Sequence, residues 1–169
     1  SKIQTITNPA GNFGRKVVMD GDFIAVAADT FVQPDSYYHK VFLYKRGTGN
    51  NWSLYQTIQN QSYQQNNPNG ISALALNDSY LVIGLPYYDI ATTINNAGQV
   101  KIYNHQGTQW TLSQTINNPN NINGTNGLFG YAVAIDGNRI AIGQTGYEVN
   151  SFANAGKVHI YQNNFGTTW

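Results

Sequence analysis

The feature of this sequence that most constrains its fold is a pattern that occurs three times. Residues 3–6 read Ile-Gln-Thr-Ile, and the segments that end at Ile58 and Ile116 each close with Gln-Thr-Ile again. The isoleucines Ile6, Ile58 and Ile116 therefore stand 52 and 58 residues apart. Repetition at about this period is typical of repeat architectures, in which every copy forms one supersecondary unit.

Each copy predicts four antiparallel strands. In the third copy, an apolar strand over 129–135 meets the two-residue turn signal Asp136-Gly137, and 139–143 forms the return strand. Residues 156–161 alternate apolar and polar side chains, as a half-buried strand does, and a fourth strand begins at Trp169. The first two strands of each copy are almost wholly apolar, so we expect them to be buried on both faces. Four-stranded repeated units are typical of β-propeller blades.

The predicted fold is all-β: a single propeller segment over residues 1–169, made of three four-stranded antiparallel blades. The repeats span approximately 7–58, 59–116 and 117–169, and residues 1–6 complete the third, because Trp169 followed by Ser1 continues the repeat in register. Propellers usually have about 4–8 blades. Three blades therefore predict either part of a larger propeller or a ring closed by self-association, in which a homodimer completes six blades.

Two further short patterns recur, a Phe-Gly pair that opens the repeat and a small-residue triplet that ends its second strand. They are Phe13-Gly14, Phe129-Gly130, Ala27-Ala28-Asp29, Gly84-Leu85-Pro86 and Gly143-Gln144-Thr145. With them the chain resembles the FG-GAP repeat family, the integrin alpha-like β-propeller blades. The resemblance implies cell adhesion, lectin-like carbohydrate binding or scaffolding, and an extracellular or cell-surface location.

Integrin-like blades often carry a calcium loop between their first two strands, and this sequence departs from that pattern. The corresponding positions hold short turns with at most two carboxylates each: Asp20-Gly21-Asp22, Asn77-Asp78-Ser79 and Asp136-Gly137-Asn138. Calcium takes six to eight oxygen ligands. We therefore predict no metal and no cofactor.

Composition narrows the function classes. Charged residues make up 10% of the chain and its net charge is +1, which gives no basic patch for nucleic acid. No apolar stretch reaches the ~18 residues of a membrane span. The sequence contains no cysteine and no catalytic motif, and His39, His105 and His159 do not pair at metal-ligand spacing. We predict that the protein is not an enzyme, with a glycan-cleaving enzyme as the less favoured reading.

The candidate binding residues lie on the face that carries the connections between strands two and three and between blades. They are Asp29, Asp35, Tyr37, Tyr38, Tyr87, Tyr88, Asp89, Tyr147 and Glu148. Tyrosine combines a flat apolar ring with a polar tip, which suits interfaces and sugar stacking, although such rings also cover blade edges. We predict a non-enzymatic interaction module, for adhesion or assembly, that binds a protein partner. The alternative is a lectin-like propeller that binds a glycan.

Overall fold

The computed structural model of the chain describes residues 1–32, 36–60, 70–90, 95–120, 127–164 and 168–169. Its regular structure is three antiparallel sheets of four, four and three strands, which confirms the predicted all-β class with blade-like units. Sheet 1 contains β1 (Lys16–Asp20), β2 (Phe23–Val32), β3 (Ser36–Arg46) and β4 (Trp52–Asn60). Sheet 2 contains β5 (Ala73–Leu76), β6 (Tyr80–Leu85), β7 (Gln99–His105) and β8 (Trp110–Asn117). Sheet 3 contains β9 (Phe129–Asp136), β10 (Arg139–Gln144) and β11 (Lys157–Gln162).

Tight turns join the first two strands of every sheet, as the sequence predicts, but in sheet 3 the turn lies one residue later than predicted, at Gly137 and Asn138, because Asp136 pairs with Arg139. Gly21 and Gly137 adopt positive φ angles of 51° and 53°, which glycine tolerates without steric penalty. In sheet 2 the side-chain oxygen of Asn77 accepts hydrogen bonds from the backbone N–H groups of Ser79 and Tyr80, at 3.0 and 2.8 Å. This side-chain turn replaces the glycine that the second copy lacks.

The three sheets stack face to face in chain order, with sheet 2 in the middle. Because successive side chains of a strand point to opposite faces, β6 sends Leu81 and Ile83 into the core shared with sheet 1. Its neighbour Val82 enters the core shared with sheet 3, against Phe129 and Ile142. The middle sheet is thus buried on both faces.

The two outer sheets differ from the prediction that every first strand is buried on both sides. In β1, Val17 and Met19 are 56% and 67% exposed, and in β9, Ala132 and Ala134 are exposed. The physical reason is position, since sheets 1 and 3 each have a neighbouring sheet on one side only. The apolar pattern of the sequence identifies the apolar faces of the strands, but it does not show which of those faces another sheet covers.

The fourth strand of the third repeat is not formed within the described part of the chain. Among the described residues, sheet 3 ends at β11, and residues 1–6 adopt no regular strand. The side chain of Gln4 instead lies at the edge of sheet 1, where Nε2 donates to the carbonyl of Trp52 (3.0 Å) and Oε1 accepts from its N–H (2.8 Å). The sequence also predicts a turn through Gly166 before Trp169, and that turn falls outside the described residues.

Candidate functional site

The connections of the three sheets divide between two ends of the stack. At one end are the tight turns, where Asn77 donates to the carbonyl of Gly137 at 3.0 Å. At the other end are the longer connections, where the N–H of Leu128 donates to the carbonyl of Asn96 (3.0 Å) and that of Gly146 to Gly127 (3.2 Å). We call this second end, formed by residues 86–90, 95–98, 118–120, 127–128 and 145–156, the loop surface.

In sheet 1 the predicted loop between strands two and three is a long β-hairpin. Asp29 lies in β2, and Tyr37 and Tyr38 lie in β3, where they pair with Phe31 and Thr30 across the sheet. The expectation of a loop at these residues was wrong, because the strands continue to Val32 and restart at Ser36. Asp35 lies outside the described residues.

Asp29 is engaged inside sheet 1. Its side chain is 4% exposed, and its carboxylate accepts hydrogen bonds from Arg15 and from Nδ1 of His39, the latter at 2.7 Å. Burial alone raises the pKa of a carboxyl group, but the hydrogen bonds from His39 and Arg15 and the charge of Arg15 outweigh it, so that the pKa of Asp29 falls below its usual value. The carboxylate is therefore ionised at neutral pH and fully occupied by protein groups.

An aspartate–histidine pair resembles the orienting half of an acid–base site, but this one is closed to solvent. His39 is 0% exposed, and Gly70 lies against its ring so closely that a Cβ at Gly70 would come within 2.0 Å of Cδ2. The pair therefore serves the packing of sheet 1 against the segment that leads into sheet 2.

The sheet 2 part of the loop surface carries three predicted residues. Tyr88 is half-buried against the core, and its carbonyl accepts the N–H of Gly98 at 3.0 Å. The carboxylate of Asp89 accepts the N–H of Asn96 at 2.6 Å, which closes the loop upon itself. Tyr87 is half-buried beside them. The side chain of Asp89 and the backbone of Tyr88 therefore fix the shape of this loop.

The sheet 3 part of the loop surface presents its side chains more openly. Tyr147 is half-buried, with Nζ of Lys157 3.4 Å from its ring centroid in a cation–π contact, and Glu148 is exposed. Beyond them, Val149 and Phe152 exchange two backbone hydrogen bonds, at 2.9 and 3.2 Å. The side chain of Phe152 is 73% exposed.

The two residues between Val149 and Phe152 have an unusual backbone. Asn150 and Ser151 both adopt positive φ angles, of 50° and 67°, which is the geometry of a type I′ hairpin turn built without glycine. Asparagine adopts positive φ more readily than most residues, and the described part of the chain shows it also at Asn12, Asn50, Asn96 and Asn154. The turn therefore displays Phe152 on a locally fixed backbone.

Sequence reasoning places Phe152 in this loop beside Tyr147 and Glu148 but does not choose it as a site residue, and it does not single out Lys157. Asn-Ser is a weaker turn signal than Asn-Gly, and an exposed phenylalanine in a loop has no sequence pattern of its own. Lys157 stands directly before the alternating strand, where a lysine looks like an ordinary solvated side chain. The contact with Tyr147 depends on the path of the loop.

The described histidine and acidic side chains show how far metal binding is supported. Over the ranges that the structure describes, no three His, Asp or Glu side chains come together in a group that could hold a metal ion. Nor does any helix within those ranges have the length and apolarity to cross a membrane.

Fold and loop surface together define a class, an all-β protein of stacked, blade-like sheets with an aromatic loop surface at one end. Compared with models of protein families and with curated proteins, the chain matches none.

Proposed function

We propose that the protein is a non-enzymatic interaction module, used for adhesion or assembly, that binds a protein partner through the loop surface. The observation that carries the proposal is the exposed ring of Phe152 on its strained two-residue turn. Phe152 does not stand alone, because Val149 lies opposite it on the turn and is 38% exposed, and adjoining exposed apolar side chains on a loop surface suit an interaction site.

The surroundings of Phe152 suit a protein interface. Val149 adds further exposed apolar area, and Tyr147, Lys157 and Glu148 provide aromatic and charged groups beside it. Protein interfaces concentrate their binding energy in a few aromatic anchors with a polar rim. A pre-formed turn loses little conformational entropy on binding, so the anchor's apolar contact contributes more fully to affinity.

The resemblance to FG-GAP blades supports the same proposal and adds an extracellular or cell-surface location. In this proposal the three sheets belong to a β-propeller, and the loop surface is one rim of it. No catalytic role is part of the proposal, because the one aspartate–histidine pair described above is sealed from solvent.

The lectin-like alternative has weaker support from the same side chains. Stacking on a sugar needs an open aromatic face, and Lys157 already covers one face of Tyr147, while Tyr88 packs against the core. Phe152 offers an open ring but no polar tip for the hydroxyl groups of a sugar.

The test compares Phe152→Ala with Leu112→Ala as baits for proteins from the source organism's cell surface. Leu112 is also an exposed apolar residue, at 52%, but it lies on β8 near the tight-turn end. We expect wild type and Leu112→Ala to bind the same partner protein and Phe152→Ala to lose it. The unfolding free energies of both variants should lie within about 0.5 kcal/mol of wild type, so that the loss of binding is not a loss of folding. Equal retention by both variants would contradict the proposal. Binding on a glycan array that Phe152→Ala abolishes would replace it with the lectin reading.

A further inference from the structure

Sheet 3 exposes a face that the equivalent strands of sheets 1 and 2 bury. Val158 and Ile160 of β11 are 66% and 67% exposed. Their repeat counterparts are all 0% exposed, each covered by the next sheet: Val41, Leu43, Val100 and Ile102. Beside β11 the middle of the same face of sheet 3 carries small residues on β9 and β10, namely Ala132, Ala134, Ala141 and Gly143, and the charged Asp136 and Arg139 lie at its turn end. Small side chains there let a further sheet approach closely.

At the opposite end of the stack, Ile6, Ala10 and Phe13 cover part of the outer face of sheet 1, and Val17 and Met19 on that face remain exposed. Asn12 and Gly14 have φ angles of 51° and 93°, close to the 52° and 89° of Leu128 and Gly130, so the two Phe-Gly segments share one conformation. A Cβ at Gly130 would come within 2.9 Å of Gln99 and Val100 in the preceding sheet, whereas one at Gly14 would meet nothing within 4 Å in the described part of the chain. Sheet 1 is therefore built to receive a preceding sheet.

The glutamine–tryptophan pairs show where that preceding sheet belongs. Gln56 of sheet 1 holds the backbone of Trp110 in sheet 2 with two hydrogen bonds, both 2.8 Å. Gln114 of sheet 2 holds Trp169 in the same two-bond manner, at 3.3 and 2.8 Å. The pair between Gln4 and Trp52 repeats this geometry, so residues 1–6 occupy the position of an outer strand in a sheet before sheet 1.

We propose that a second copy of this chain supplies the missing surfaces. Sheet 1 of the second copy packs on the exposed face of sheet 3, and residues 1–6 of the second copy pair with β11 as its fourth strand. The register follows from the other two sheets, in which Val41 lies opposite Ile58 and Val100 opposite Ile116. Val158 therefore lies opposite Ile6 of the second copy.

Each copy carries one of each surface, so the contact runs head to tail, and such a contact yields a closed ring when the rotation permits. Two copies give six sheets, within the usual range of about 4–8 for propellers, whereas three copies give nine. The pairing also covers the open edge of β11, which would otherwise expose unpaired backbone groups to further association. The packing of sheet 1 on sheet 3 and the pairing of residues 1–6 with β11 are both independent of the loop surface and of the function proposed for it.

The first experiment measures mass in solution by light scattering across a range of concentrations. We expect wild type at twice the 18.7 kDa chain mass and Ile160→Asp at the chain mass. Leu112→Asp is the matched control, since Leu112 lies on the middle sheet and is already 52% exposed with neighbours on both sides; it should stay dimeric. A monomeric wild type at all concentrations, or an assembly larger than two copies, would overturn the proposal.

The second experiment tests the register and does not depend on how Ile160→Asp folds. The chain has no cysteine, so the double variant Ile6→Cys with Val158→Cys introduces the only thiols. Directly opposed residues, such as Ile6 and Val158, have Cβ atoms about 4.5–5.5 Å apart, and a small backbone shift allows a disulfide at that distance. Diagonal neighbours, such as Ile6 and Ile160, are about 7–8 Å apart, which is too far. We expect a disulfide-linked dimer on mild oxidation, and far less from Ile6→Cys with Ile160→Cys. Equal linking of both pairs, or a link within one chain, would refute strand completion by a second copy.

Discussion

Single glycines report the stacking of the sheets at the residue scale. Gly14 and Gly130 have almost the same φ, 93° and 89°, but only Gly130 has a neighbouring sheet against its Cα. A substitution at either position strains the backbone in the same way. Any difference between the two substitutions therefore measures the contact with the preceding sheet.

We predict that Gly130→Ala lowers the unfolding free energy more than Gly14→Ala does. Both incur about 1–2 kcal/mol from the positive φ. Gly130→Ala adds roughly 1–3 kcal/mol of overpacking, because its Cβ would lie 2.9 Å from Gln99 and Val100. Urea unfolding of both variants in a monomeric Ile160→Asp background measures the difference. Equal losses would mean that the sheets do not meet at Gly130.

The buried carboxylate of Asp29 gives a second prediction at this scale. Asp29→Asn removes the charge that Arg15 and His39 bind, and leaving those groups without it should destabilise the protein by about 1–3 kcal/mol at pH 7. Asp136→Asn, at the exposed end of β9, is the matched control and should change little. Chemical unfolding of the three proteins at pH 7 provides the comparison.

The pH dependence of that difference has a definite sign. The folded pKa of Asp29 lies below its ordinary value of 3.8, so its stabilisation is fully present above about pH 4 and is lost as the pH falls through the folded pKa. The gap between wild type and Asp29→Asn should therefore shrink below pH 4. A gap that stays constant down to pH 2 would show that the lowered pKa of Asp29 contributes nothing.

At the scale of elements, the outer strands are joined by side chains as well as by apolar packing. Gln56 on β4 reaches across to sheet 2 and satisfies both backbone groups of Trp110, the first residue of β8. An antiparallel ladder already joins strands within each sheet. The glutamine side chains add a polar connection from one sheet to the next.

We predict that Gln56→Ala lowers the unfolding free energy by about 1–2 kcal/mol, because it leaves the N–H and carbonyl of Trp110 without these two partners. Gln59→Ala is the matched control, on the same strand but exposed, and should stay within about 0.5 kcal/mol of wild type. Thermal or urea unfolding compares the two. If Gln56→Ala lowers the unfolding free energy no more than Gln59→Ala does, the glutamine side chain does not stabilise the stacking of the sheets.

Much of the strand pattern could be predicted from the sequence because it depends on local signals. The turn at Asp136-Gly137 and the alternation after Gly156 are readable within a few residues, and β9, β10 and β11 follow them. The extent of the β2–β3 hairpin was not predictable, because Asp29 looks like a loop residue until its partners Arg15 and His39 are known. The exposure of Phe152 likewise depends on the strained turn before it.

On the scale of the whole molecule, the stack has two unlike ends. One exposes Val17 and Met19 of sheet 1, and the other exposes Val158 and Ile160 of sheet 3. In sheet 2, which has a neighbouring sheet on each side, the equivalents of Val158 and Ile160 are fully buried, and those of Val17 and Met19 are buried or half-buried. An isolated copy leaves this apolar area in water, and burying it is favourable in proportion to the area removed.

This asymmetry predicts that thermal stability depends on protein concentration. If folded copies associate, mass action adds about 0.7 kcal/mol per chain for each tenfold rise in concentration, because a dimer gains 1.4 kcal/mol. For a chain of this length, a hundredfold rise should increase Tm by about 3–6 °C. Ile160→Asp, with a charge in the middle of the exposed face, should show a constant Tm over the same range. Calorimetry at several concentrations measures both, and a constant Tm for wild type would mean that the apolar faces of sheets 1 and 3 do not associate in solution.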